Sequence, residues 1–180
     1  MAALRAWKAL GLLAAGLSLA IAGCDSSSGG EATPTKEPVK LFVPCDGISD
    51  DLVQKAGADP ASEESGIAGV HQTDMEICSW KASGYYINLY SWPKTFDDLR
   101  SDSRYRDFVE TEVNGRKAVQ FREASDTLAE RCDIALSARQ GSISINIQKA
   151  LSEPSPEDPC VTANRSARTL VAQLDRKSVV

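Results

Sequence analysis

Two stretches in the last third of the sequence alternate between apolar residues and polar or small ones. This is the period of a strand that buries one face. The apolar positions are Cys132, Ile134, Leu136, Ile143, Ile145 and Ile147. Because Gln140-Gly141 lies between the two stretches and offers a turn, the pattern predicts a β-hairpin.

Asn114-Gly115 marks a second hairpin, between residues 108–113 and residues 116–121. A type I′ turn needs positive φ at both central residues, and this dipeptide adopts that conformation at low cost. We therefore expect the two flanking stretches to pair in an antiparallel manner.

Ser83-Gly84 offers a third turn, between a strand through Cys78 and Trp80 and a strand from Tyr85 to Trp92. The residues before this pair, from Asp59 to Asp74, are mostly polar and include two glycines. We predict a loop there.

Helix-end signals indicate three helices. Ser49 is placed as the N-cap of a short helix that Gly57 ends, and Thr95 with Asp98 resembles a capping pair for a second one. Asp158-Pro159 opens the last helix, with proline at the first helical position. The apolar residues on one face of this helix are Cys160, Ala163, Ala167, Leu170, Val171 and Leu174. The helix can therefore lie across a sheet.

Together these elements predict an α+β fold. It consists of an antiparallel sheet of about six strands built from hairpins, a short N-terminal helix, and a C-terminal helix packed on the sheet. Strands that are apolar on one face need such a cover.

The N-terminus has the three-part pattern of an export signal. Arg5 and Lys8 precede an uncharged run from Ala9 to Ala22. That run is too short for a membrane-spanning helix of about 20 apolar residues. Ile21-Ala22-Gly23-Cys24 then resembles the lipobox of bacterial lipoproteins, in which cleavage before the cysteine is followed by acylation of that residue.

The predicted organisation has three parts. Residues 1–23 are removed, residues 24–40 form a flexible tether, and residues 41–176 form a single extracytoplasmic domain. The tether lacks the apolar residues that a packed core requires. Acyl chains on Cys24 would hold the protein on the outer face of the cell membrane, since two or three chains anchor firmly where one binds reversibly.

Loss of the signal makes the chain more acidic. Of 20 Lys and Arg residues two lie in the signal, so 18 remain against 25 Asp and Glu, a formal charge of −7. No run of basic residues is present. Nucleic acid is therefore not expected as a partner.

Four cysteines remain besides Cys24, an even number in a chain whose signal directs it to an oxidising compartment. We predict two disulfides. Three connectivities are open, and we favour the sequential pairs Cys45–Cys78 and Cys132–Cys160. The spacings contain no C-x-x-C pair, so no metal site is expected.

Signals of catalysis are weak. The one histidine, His71, lies in a polar stretch without a G-x-S-x-G motif elsewhere in the chain, and we interpret it as an exposed loop residue. Adjacent carboxylates at Asp50-Asp51, Glu63-Glu64 and Asp97-Asp98 do not face each other on a helix. No phosphate, dinucleotide or calcium motif occurs. We expect neither an enzyme nor a cofactor.

Aromatic residues cluster between positions 80 and 92. If Ile87 and Leu89 face the core, then Tyr86, Tyr90 and Trp92 share the opposite face of the same strand. These three rings are candidates for ligand binding, by stacking on sugars or gripping an extended peptide. The alternative is that a loop or helix covers them as ordinary packing.

Several short motifs occur in a characteristic order. They are the lipobox at Cys24, Pro44-Cys45 before a short helix, Cys78-Ser79-Trp80, Asn114-Gly115-Arg116-Lys117-Ala118-Val119, Cys132 at the start of a strand, and Asp158-Pro159-Cys160. Over about residues 44 to 174 this order resembles the actinobacterial lipoproteins catalogued as domain of unknown function 3558. Family members often read Asp-Pro-Cys at the first cysteine, where this chain has Val43-Pro44-Cys45. The resemblance implies a disulfide-bearing, membrane-anchored extracytoplasmic domain without an assigned activity.

Two functions are compatible with these observations. The first is a non-enzymatic binding or interaction module at the cell envelope, with a glycan, lipid or protein as partner. The second is a carrier or sensor of a small apolar ligand held between the sheet and the terminal helix. The sequence does not decide the ligand or the oligomeric state.

Overall fold

The computed structural model of this chain describes residues 40–152 and 157–177. The predicted signal, Cys24 and all of the predicted tether except Lys40 lie outside the described residues. None of the described helices is both long enough and apolar enough to cross a membrane.

Seven strands form one antiparallel sheet in the described part of the chain. The strands are β1 (Ala58–Ser65), β2 (Glu76–Ala82), β3 (Tyr85–Trp92), β4 (Tyr105–Val113), β5 (Arg116–Glu123), β6 (Arg131–Ala138) and β7 (Gly141–Lys149). The helices are α1 (Pro44–Gly47), α2 (Asp50–Lys55), α3 (Phe96–Ser101) and α4 (Pro159–Lys177). The strand order across the sheet is β1-β2-β3-β7-β6-β5-β4. The predicted α+β class is confirmed, with seven strands in place of about six.

The three predicted hairpins are confirmed. Asn114 and Gly115 have φ values of 51° and 81°, the two positive angles that a type I′ turn requires. They join β4 to β5 with Val113 opposite Arg116. The β2–β3 and β6–β7 hairpins pair in the same antiparallel manner.

The prediction of a loop from Asp59 to Asp74 was wrong in its first half, where β1 forms. The backbone of β1 pairs with β2, while its side chains after Ala58 are exposed or half-buried. A polar strand at the edge of a sheet lacks the apolar alternation that indicates a strand. The connection after Ser65 is irregular, as predicted.

Both edges of the sheet are irregular. The register shifts within β1, where Pro60 has no N–H to donate. The register also shifts within β4, where Asp107 has φ 57°. Bulges and prolines of this kind hinder the addition of another strand.

Three of the four described helices begin where the sequence indicated, and α1 was not predicted. Ser49 precedes α2, although its side chain makes no capping hydrogen bond. Thr95 and Asp98 form a reciprocal capping box at the start of α3. At the start of α4, Asp158 Oδ1 accepts a hydrogen bond from the backbone N–H of Cys160 at 2.7 Å.

One face of the sheet, called the helix side, packs against α4. The predicted apolar face of α4 is buried there together with Ile87 and Leu89 of β3 and the isoleucines of β7. Trp80 also lies in this cluster. The side chains of the sheet and of α4 thus form one continuous core.

Two disulfides tie helices to the sheet. Cys45 of α1 bonds to Cys78 of β2, and Cys132 of β6 bonds to Cys160 of α4. The sequential pairing is confirmed. Each bond closes a loop of 33 or 28 residues, which corresponds to about 3 to 4 kcal/mol of stability in the chain-entropy account.

Candidate binding site on the aromatic side of the sheet

The opposite face of the sheet, called the aromatic side, carries a second and smaller buried cluster. Its buried members are Trp92, Leu99, Val119, Phe121 and Ala135, and the partly buried Met75, Phe96, Tyr105 and Phe108 pack against them. Trp92 is an odd number of positions from Ile87 and Leu89, so it points away from α4. Because Leu99 and Phe96 belong to α3, that short helix covers part of this side.

The three predicted ligand-binding residues lie together on the aromatic side. Trp92 is buried, with 6% of its surface exposed, while Tyr86 and Tyr90 are half-buried. The Tyr90 and Trp92 rings stack with centroids 5.8 Å apart. Trp92 is therefore covered by packing, and Tyr86 and Tyr90 keep surface that a ligand can contact.

Aromatic rings from distant strands meet over this side. The centroids of Trp92 on β3 and Tyr105 on β4 are 6.2 Å apart, and Tyr105 in turn contacts Phe121 at 5.1 Å. Four strand spacings separate β3 from β4, which is about 19 Å in a flat sheet. Two aromatic side chains do not span that distance, so the sheet curls toward its aromatic side.

Polar side chains form a row across the three central strands beside these rings. Asn88, Asn146 and Asp133 are register neighbours on β3, β7 and β6. Asn88 Nδ2 donates to Asn146 Oδ1 at 2.9 Å, and Asn146 Nδ2 donates to Asp133 Oδ2 at 2.8 Å. All three residues are buried, so the aromatic side has a polar floor.

Burial raises the pKa of Asp133 to about 7, and the negative charge of Glu123 acts in the same direction. The hydrogen bond from Asn146 and the charge of Arg131 lower this pKa, but by less. Arg131 itself pairs with Glu123 at 2.8 Å. The carboxyl of Asp133 is thus held without a cation bonded to it among the described residues.

Two buried polar atoms on the aromatic side have no hydrogen-bond partner. They are Trp92 Nε1 and Ser144 Oγ, and Ser166 Oγ of α4 is a third such atom in the described part of the chain. Ser144 lies opposite Tyr90 in register and two positions from Asn146. Buried polar groups in proteins are rarely left unpaired, so each of these needs an explanation.

Lys94 fixes the connection between β3 and β4. Its ammonium lies 5.4 Å from the Trp92 ring centroid and 5.6 Å from that of Tyr105. It also pairs with Asp102 at 2.9 Å. Hydrogen bonds from Arg104 and Lys94 hold the pKa of Asp102 well below its ordinary value. A positive charge is thereby placed beside the aromatic cluster.

A polar cleft adjoins the aromatic side at Arg131. It has a volume of about 180 Å³ and lies in the connection between β5 and β6. The cleft is lined by Ser125, Asp126, Thr127, Leu128, Glu130 and Arg131. Arg131 is two positions from Asp133 on the same strand, so its side chain lies on the same face of the sheet as the polar floor.

Among the described residues, one group of potential metal-ligand atoms lies close together beside β2. Its members are Cys45, Glu63 and Cys78. The two sulfurs are bonded to each other, so neither is a thiolate that can bind a metal ion. Glu63 Oε2 accepts a hydrogen bond from Trp80 Nε1 at 3.2 Å. His71 is exposed in the connection between β1 and β2.

Sequence reasoning missed Asp133, Ser144 and Asn146 because each occupies a polar position in an alternating strand. Such positions are ordinarily assigned to solvent. A signal was nevertheless present, because polar residues of two paired strands fall on the same side when the β6–β7 hairpin is aligned. That side coincides with the side of Tyr90 and Trp92 once β3 pairs with β7.

Comparison with known proteins adds a family. Residues 19–173 match the family described as "Protein of unknown function (DUF3558)". No curated protein and no solved structure matches the chain. The order of its cysteine, turn and helix motifs already resembled this family. The match covers far more than half of the 180 residues, and the chain therefore belongs to the family.

Proposed function

We propose that this protein is a membrane-tethered binding module that captures an envelope component on the aromatic side of its sheet and catalyses no reaction. The observation that carries the proposal is the set of buried polar groups with unused hydrogen-bonding capacity on that side. They are Asp133, Ser144 and Trp92. A bound ligand would supply the hydrogen-bond partners that buried polar groups in folded proteins normally have.

The two sides of the sheet differ in a way that supports this choice. On the helix side the core residues pack against α4 and are almost fully buried. On the aromatic side α3 has only six residues, and Tyr86 and Tyr90 keep exposed surface. Half-buried aromatic rings beside a few polar groups are typical of ligand sites.

The proposed location outside the cytoplasm is supported by the two disulfides. Such bonds persist in oxidising compartments and are rare in the reducing cytosol. In the proposal, acyl chains on Cys24 anchor the protein, and residues 25–39 give the domain its reach from the membrane surface.

The chemistry of the described residues supports binding over catalysis. A nucleophile acts with an adjacent base, usually a histidine. His71 is exposed in an irregular connection, and Cys45, Cys78, Cys132 and Cys160 are all bonded in disulfides. Asp133 instead lies among amides, which orient a ligand rather than activate an attacking group.

Cosedimentation with envelope fragments of the host tests the proposal. The fragments are first extracted free of lipid, so that acyl chains on Cys24 have no bilayer to enter. The purified full-length protein should then sediment with them, and the double variant Tyr86→Ala/Tyr90→Ala should reduce the bound fraction several-fold. The matched control is Tyr85→Ala, because Tyr85 neighbours Tyr86 but packs against the core of the helix side. Melting temperatures of all variants separate binding from folding.

An equal bound fraction for the double variant and the unaltered protein would remove the aromatic side as the binding surface. A loss in Tyr85→Ala that matches the loss in the double variant, at equal melting temperature, would do the same.

A further inference from the structure

The unused hydrogen-bonding groups of the aromatic side differ in what they need. The Asp133 carboxylate accepts one bond at Oδ2 from Asn146, and its other oxygen has no partner among the described residues. Trp92 Nε1 can only donate, and Ser144 Oγ can donate or accept. A single ligand must therefore offer an acceptor to Trp92. To Asp133 it must offer a donor when the carboxyl is charged and an acceptor when burial keeps it protonated.

Charges near the floor argue against an ionic ligand. An anion would meet the carboxylates of Asp133 and Glu123. A cation would find only Asp133 as an unpaired acid in the polar floor, and burial favours the protonated form of that carboxyl. Lys94, 5.4 Å from the Trp92 ring centroid, is already paired with Asp102. Arg131 is paired with Glu123 and leaves little net charge there. A neutral ligand with groups that both donate and accept suits this environment.

Hydroxyl groups have that dual capacity, and a sugar ring carries several of them on an apolar C–H framework. We infer that the ligand of the aromatic side is a neutral saccharide, with its hydroxyls bonded to Asp133, Ser144 and Trp92 and its C–H face against Tyr86 and Tyr90. This inference rests on the proposed function and names the class of ligand for the same site.

The amides of a peptide also donate and accept hydrogen bonds, but the edges of this sheet are poorly suited to pair with a peptide strand. Extended peptides bind proteins of this kind by adding a strand to a sheet edge. Here Pro60 and a register shift interrupt β1, and Asp107 interrupts β4. The remaining unpaired groups are side chains on the face of the sheet, where a compact ring fits better than an extended backbone.

Ligand access proceeds through the half-buried tyrosines. Tyr90 lies opposite Ser144 in register, and Tyr105 packs against Trp92 with ring centroids 6.2 Å apart. Burial, followed by the charge of Asp133, raises the pKa of Tyr90. Both tyrosines keep exposed surface while Asp133 is buried. Binding of a saccharide there requires rotation of these two side chains to open the floor to solvent.

An array of neutral monosaccharides and oligosaccharides, probed with the full-length protein, tests the inference. Calorimetry then measures the affinity of the protein for the soluble saccharide that binds most strongly. Asp133→Asn keeps the shape of the side chain but presents an N–H where the charged carboxylate accepts. At pH 8, above the pKa of about 7, we therefore expect affinity to fall about tenfold or more. Trp92→Phe keeps an aromatic ring without the N–H, and we expect a loss of about fivefold.

The matched control is Ser166→Ala, which removes a buried hydroxyl that also has no partner but belongs to α4. Its affinity should equal that of the unaltered protein, whereas Ser144→Ala should bind more weakly. Melting temperatures show whether each variant folds. If Trp92→Phe fails to fold, Asp133→Asn still tests the inference.

Absence of saccharide binding across the array would overturn the inference, and so would binding that Asp133→Asn and Trp92→Phe leave unchanged. Binding of a peptide library that is lost in the same variants would replace the saccharide with a peptide. Envelope binding that depends on Tyr86 and Tyr90 without any saccharide binding would leave the proposed function standing and remove only this inference.

Discussion

The carboxyl of Asp133 is buried on the aromatic side with one hydrogen bond, from Asn146, and titrates at about pH 7 in place of its ordinary value of 3.8. The charged groups that face it are Glu123, which raises its pKa, and Arg131, which lowers it. Burial has the largest effect. The folded protein therefore favours the protonated carboxyl, and its stability depends on pH near neutrality.

We expect Asp133→Asn to stabilise the protein near pH 8 and to leave it unchanged near pH 4. Stability from the raised pKa is complete below the unfolded value of about 4 and is lost as pH rises through about 7. At about 1.36 kcal/mol for each pKa unit, the gain at pH 8 is about 4 kcal/mol at most. Urea unfolding midpoints of both proteins at the two pH values measure it. Identical midpoints at pH 8 would show that burial does not penalise this charge.

At this scale the sequence predicted which side of β3 each residue faces, but not which polar residues are buried. Tyr86, Tyr90 and Trp92 were placed together by the period of a strand alone. The burial of Asp133 depends on rings that arrive from β4 and on the curl of the sheet. Local alternation contains no information on either.

Among the elements, two turns contain glycines with positive φ that differ in their surroundings. Gly141 starts β7 with φ 141°, and a Cβ there would lie 2.5 Å from the carbonyl carbon of Pro93 and 2.6 Å from the backbone oxygen of Trp92. Gly115 has φ 81° with nothing within 4 Å of the same atom. The β6–β7 hairpin therefore packs against the end of β3 at Gly141.

We expect Gly115→Ala to cost about 1 to 2 kcal/mol, the strain of a left-handed conformation alone. Gly141→Ala adds a collision with backbone that no side-chain rotation relieves, and we expect a cost of about 3 kcal/mol or more. Urea unfolding of the two single variants compares them directly. Equal losses would mean that the strand end at Pro93 moves aside freely.

Elements defined by local signals were predictable, and those defined by distant contacts were not. The Asn114-Gly115 turn, the capping box at Thr95 and the apolar face of α4 each follow from neighbouring residues. β1 becomes a strand because β2 lies beside it, and its polar side chains do not indicate this. The pairing of β3 with β7 is equally non-local, and it builds the floor of the candidate site.

For the whole molecule, the predicted anchor gives a direct test. Cys24→Ala should remove the acylation site, so the protein should leave the membrane fraction and appear in the soluble extracytoplasmic fraction. Ser26→Ala is the matched control, because it alters the same segment and keeps the lipobox. Fractionation followed by immunoblotting measures the distribution. A Cys24→Ala protein that stays with the membrane to the same extent as the control would contradict lipid anchoring.

The sequence predicted much of the architecture at this scale, namely the α+β class, the covering helix and both disulfides. Four cysteines allow three pairings, and the favoured one is present. The curl of the sheet was not predictable, because it is expressed in ring contacts between β3 and β4, which are four strands apart in the sheet.

The irregular edges of the sheet have a consequence if the proposed anchor holds this protein on a membrane surface. Confinement to two dimensions greatly increases how often neighbouring copies collide, and open strand edges would then join them into growing β-assemblies. Pro60 at one edge and Asp107 at the other hinder such edge-to-edge growth. Under the proposed anchoring, these irregular edges would disfavour β-assembly between neighbouring copies even at high surface density.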